Sequence, residues 1–224
     1  MSNWIRQACI LSLAGFILSG PVGFTLVKLW SPQPEWTNTV SFVEHYHILQ
    51  DLPYFFGFLL LAGQLLLVLA HYEVYGHRPE LRFPLRVAVI LMIIFCTLIC
   101  FNYIVQTTFV HNLAWNYQPV YEGAIQNFSM ANSLSLAWAI ELWGYGLLGI
   151  SLWLLRSIYV ERFRAISILL WVNLISSIVP ILWTILDVKW VLTTLGLGLY
   201  LFWNLLMILI LILIYRSDKK MTTI

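Results

Sequence analysis

One carboxylate, Glu141, sits about ten residues inside a long apolar stretch, residues 132–155, NSLSLAWAIELWGYGLLGISLWLL. It is the only acidic or basic residue deep within any such stretch of this chain. A carboxyl group in these surroundings can tie helices together when protonated, or exchange its proton and act as the switch of a coupled carrier. Tying helices alone gives an acid no advantage over glutamine, and its charged form is costly there. Ala137, Gly144 and Tyr145 lie at i−4, i+3 and i+4, on the same helix face as Glu141. The gap left by the two small residues admits either the backbone of a neighbouring helix or part of a ligand.

A second group of polar residues lies outside the apolar stretches. The string EHYHILQD supplies Glu44, His45, His47 and Asp51, and His111 and Glu122 follow further on. Of these, His45, His47, Asp51, His111 and Glu122 are candidate ligands for zinc, which takes three or four protein ligands. No H-E-x-x-H framework accompanies them, and His45 and His47 at i, i+2 point apart on a helix. Cys9, Cys96 and Cys100 all fall in apolar stretches and carry neither disulfide nor zinc-site spacing. The sequence holds no nucleophilic serine motif, glycine-rich phosphate loop or CxxCH haem site, and it names no cofactor.

The elements that must position these residues follow from composition. Of 224 residues, 61% are hydrophobic and only 10% charged, against about 25% charged in a soluble domain. The solvent of this chain is therefore partly lipid. A membrane-crossing helix needs about 20 apolar residues, and six stretches qualify: 8–30, 54–72, 87–110, 132–155, 166–186 and 190–215. The expected fold is all-α, a polytopic bundle of six transmembrane helices forming one domain over 1–224. The first stretch is too long for the apolar part of a secretory signal and reads as a helix bent near Gly20-Pro21. Pro84 marks the expected start of the third, and Asp187-Val188-Lys189 a tight turn that makes the last two antiparallel neighbours.

Charge sets the expected orientation. Ten of the twelve Lys and Arg residues fall on one side: Arg6, Arg78, Arg82, Arg86, Arg156, Arg162, Arg164, Arg216, Lys219 and Lys220. By the positive-inside rule both termini are cytoplasmic, an N-in/C-in topology. The net charge of +2 and the scatter of basic residues argue against a nucleic-acid partner.

Depth can be counted at about 1.5 Å per residue. Counted from the outer boundary, Glu141, Asn102 and Gln64 all lie roughly 13–18 Å down, and Asn173 and Asn204 roughly 20 Å. Polar groups at such depth turn inward to find partners. The expectation is one polar layer, with a pocket opening outward and lined by Gln64, Asn102, Gln106, Glu141 and Tyr145. The function this suggests is binding or transport of a small amphiphile or cation. A membrane enzyme with an outer-face His/carboxylate metal site is the first alternative. An accessory or scaffold subunit without ligand is the second, since buried amides also serve as interhelical glue.

The run FSMANSLSLAWAIELWGYGLLG, residues 128–149, resembles stretches in uncharacterised bacterial six-helix integral membrane proteins. The resemblance extends weakly over 103–154. It implies a multi-pass protein of the bacterial inner membrane and assigns no activity or site residue.

Overall fold

A computed structural model describes residues 2–221, with backbone alone for Ser2, Leu192 and 218–221. Among the described residues there are helices and no strands. Six helices are long and apolar enough to cross a membrane: α1 (Asn3–Trp30), α3 (Ile48–Tyr75), α4 (Pro79–Trp115), α6 (Leu136–Tyr159), α7 (Arg164–Leu186) and α8 (Thr194–Ser217). Two short helices, α2 (Thr39–Glu44) and α5 (Glu122–Phe128), lie in the connections between them. The protein is a multi-pass all-α membrane bundle.

The six long helices form a ring. Each packs on its neighbour in sequence, and α8 closes against α1. That closure brings the two ends of the described chain together, where Arg6 Nη2 donates to Tyr215 Oη at 2.8 Å. The expected pairing of the last two helices holds. Small residues set the closest approach, between α1 and α3. The space a side chain would fill at Gly15 is taken by the Leu60 backbone, and at Gly63 by Ser12.

Several boundaries differ from expectation, each for a local reason. The bend in α1 is where proline demands it: a wide turn over Leu18–Val22 holds Pro21, and Gly20 leaves helical geometry at φ −85°, ψ −106°. Helix α4 begins at Pro79 rather than after Pro84, because a proline near a helix start forfeits few backbone bonds. Helix α6 begins at Leu136, four residues late. Asn132 and Ser135 spend their side chains on Leu134 N and Trp138 N, so 132–135 is a capping turn. Helix α8 begins at Thr194 rather than Trp190, since the Asp187 carboxylate accepts from Lys189 N and starts a short turn over Val188–Leu192. The basic side chains of Lys219 and Lys220 lie outside the described residues.

One end of the ring carries a cap that the sequence did not announce. Helices α2 and α5 fold over it with the C-terminal part of α4. They share a small core of Phe42, Val105, Val110, Ala114 and Ile125, separate from the core of the ring.

Candidate functional site

Glu141 lies on the second turn of α6, facing α4. Asn102 Nδ2 donates to its Oε2 at 2.7 Å, and Tyr103 Oη donates to its Oε1 at 3.2 Å. The Asn102 amide is fixed by a further bond to Ala137 O at 3.2 Å and a contact with Met130 Sδ at 3.4 Å. Among the described residues Tyr145 makes no hydrogen bond to the carboxyl group. Its hydroxyl meets that of Tyr103 at 3.0 Å, and its ring packs edge-on against Phe95 and Trp203. Among the described residues, every hydrogen-bond partner of Glu141 is a neutral donor; no Lys, Arg or His is among them.

Of the five residues expected to line a pocket, the structure joins Asn102 to Glu141 directly and Tyr145 to it through Tyr103. Gln106 is placed one turn above and does other work: its Nε2 donates to Phe128 O at 2.8 Å and its Oε1 accepts from Met130 N at 2.9 Å. Gln106 thereby ties the capping segment to α4. Replacing it by alanine is expected to raise hydrogen exchange across 128–135 about thirtyfold, for the loss of two bonds worth about 1 kcal/mol each; unchanged protection there would refute this tether. Gln64 is fully buried on α3 but is not bonded to Glu141, and neither of its amide atoms has a partner among the described residues. The gap beside Gly144 is filled by Ile99, so the small residues here serve helix packing. Asn173 Oδ1 accepts from Trp203 Nε1 at 3.1 Å, an α7–α8 tie, and Asn204 Nδ2 returns to Tyr200 O on its own helix.

The candidate metal ligands outside the apolar stretches do not assemble. Only Asp51 and His111 meet, at 3.3 Å. His45 Nδ1 bonds Ser41 O, and His47 Nδ1 accepts from Leu49 N. Glu122 is exposed at the start of α5. Among the described residues no three His, Cys, Asp or Glu side chains come together to hold a metal. Tyr46 joins Asp51 and His111, donating to Asp51 Oδ2 at 2.6 Å and lying 2.8 Å from His111 Nδ1. Burial, and then the Asp51 carboxylate, hold the Tyr46 hydroxyl well above its ordinary range, so it keeps its proton and stays a donor.

Sequence reasoning missed Tyr103, although a buried tyrosine hydroxyl needs a partner and Tyr103 adjoins Asn102. His71 in α3 is also fully buried. His71 Nδ1 bonds Leu67 O at 2.7 Å, and its Nε2 bonds the Tyr159 hydroxyl. With Nδ1 facing a carbonyl, Nδ1 carries a proton, and Nε2 faces the Tyr159 hydroxyl. Comparison with family models, curated proteins and solved structures gave no match.

Proposed function

We propose that the protein is a small binding or transport protein that takes a small amphiphile or cation at Glu141 from the outer side of the membrane. What carries this reading is the carboxyl group held by Asn102 and Tyr103 with no basic residue among its described partners. Two neutral donors orient a carboxylate but do not neutralise it. In a low-dielectric interior the counter-charge must come from a proton or from a bound cation. Positive-inside placement of the basic loops puts both termini in the cytoplasm and the cap outside. The resemblance over 128–149 supports a bacterial inner membrane.

Proteoliposome uptake of ethidium and of radioactive sodium, measured from pH 5 to pH 9, tests the proposal. Wild type is expected to take up at least one probe with a marked pH dependence, and Glu141→Gln to lose both the uptake and the dependence. Uptake no faster than in protein-free liposomes, or an unaltered profile in Glu141→Gln, would end this reading. A ligand-free scaffold is the second reading, favoured by the filling of the gap beside Gly144 with Ile99.

A further inference from the structure

Along the seam between α1 and α3 runs a groove of about 280 Å³. Two small residues, Ala8 and Ala70, lie in its wall, and larger side chains there would fill it. The two helices are antiparallel, with Gly15 against Leu60 and Gly63 against Ser12. That register sets Trp4, Gln7 and Glu73 at one end of the groove and Leu11 and Leu66 at the other. The seven residues from Leu66 to Glu73 span about 10 Å of helix. The polar end lies close to the start of α1 at Asn3 and the end of α3 at Tyr75, away from the cap. The groove opens on the outside of the ring, where Trp4 is 64% exposed and Leu66 43%. In a bilayer its apolar end lies at the depth of the acyl chains and its polar end at the headgroup layer, where tryptophan settles.

Glu73 decides which lipid suits this groove. No Lys, Arg or His side chain among the described residues pairs with its carboxylate. At the headgroup layer that carboxylate repels an anionic headgroup and attracts an ammonium group. A primary ammonium also brings three N–H donors, to which the side-chain oxygens of Glu73 and Gln7 are acceptors; the quaternary ammonium of choline brings none. The volume lies just below the usual range for small-molecule sites, about 300–1,000 Å³, so it takes part of one acyl chain. A partner helix about 10–12 Å across would lie over the groove without entering it. We propose that this groove binds a phospholipid with a primary-amine headgroup. One acyl chain lies past Ala8 and Ala70 towards Leu11 and Leu66, and the ammonium group meets Glu73. This site is separate from Glu141 and does not rest on the function proposed there.

The test uses the full chain in dodecyl maltoside. Dioleoyl phosphatidylethanolamine, phosphatidylglycerol and phosphatidylcholine are titrated in turn, with native mass spectrometry to count bound lipids and thermal melting to follow their effect. Wild type is expected to hold phosphatidylethanolamine about fivefold more tightly than either of the other two, as suits one exposed charge pair, and to gain Tm with it saturably. Glu73 is exposed, so Glu73→Gln is expected to fold and to lose that preference. Ala70→Leu places a larger side chain in the groove and is expected to abolish tight binding of all three lipids. Should Ala70→Leu not fold, Glu73→Gln alone decides. Equal affinity of wild type for the three lipids overturns the proposal. So does a preference for phosphatidylethanolamine that persists in Glu73→Gln, or unchanged affinity in a folded Ala70→Leu. A dimer that excludes lipid overturns it as well, since a second copy of the chain would then cover the groove.

Discussion

Replacing Gly63 by leucine is expected to leave little folded protein. The space a side chain would need is occupied by the backbone nitrogen, Cα and hydroxyl of Ser12 on the facing helix. Neither backbone can give way, because the partner position one turn along, Gly15, is pressed in the same manner on the Leu60 backbone. Helices in lipid associate through such close packing rather than by expelling water, so separating α1 from α3 forfeits what joins them. Overpacking typically costs about 1–3 kcal/mol, and a clash with backbone belongs at or above the top of that range. The ring would open between α1 and α3, where the sequence-adjacent helices of the ring come closest. Gly123→Ala is the matching control: nothing lies within 4 Å of the added methyl group, and a gain of up to about 1 kcal/mol in helix propensity is expected. Size-exclusion chromatography and thermal melting in detergent separate the two. A Gly63→Leu variant that elutes and melts like wild type would refute this account of the α1–α3 contact.

How far these features were legible in the sequence depends on the physics behind each. The six crossings were legible because bilayer thickness imposes a minimum apolar length, and the kink was legible because Pro21 cannot donate to the helix ladder. The Asn102–Glu141 pair was named by counting depth, but the structure joins the two for a different reason. Counting from helix ends assumed that all helices start in one plane. In fact α4 continues thirteen residues past Asn102 to Trp115, whereas Glu141 lies only five residues into α6. The two meet because α6 starts beneath the cap, and because a buried acid must find a donor. Depth gives no rotation about the helix axis, so it also nominated Gln64, which the structure leaves unbonded to Glu141. Tyr103 escaped notice since aromatic residues in a span read as lipid-facing or core. The cap escaped because its core joins Phe42, Val110 and Ile125, which lie far apart in sequence on segments too short for periodicity to mark.

The second large effect concerns the pair itself. Asn102→Leu removes the 2.7 Å bond to Glu141 and the tie to Ala137 O, leaving the carboxyl group with Tyr103 alone. Removing one partner of a buried charged hydrogen bond costs about 3–5 kcal/mol where the remaining group stays charged. A group able to take up a proton loses less, so a destabilisation of about 2–3 kcal/mol is expected. Glu141→Leu leaves the Asn102 amide short of one acceptor and is expected to cost about 1–2 kcal/mol. The double variant removes both partners, and apolar replacement of a whole buried pair is commonly close to neutral. Its stability is therefore expected to return to within about 1 kcal/mol of wild type, a coupling that a double-mutant cycle measures. Simple additivity of the two single losses would show that the pair is not coupled. The restored double variant also separates the two functional readings. A scaffold needs only the packing, and would keep its complexes once stability is regained. A binding protein needs the charge, and a stable bundle carrying both Asn102→Leu and Glu141→Leu would fold and take up neither ethidium nor sodium.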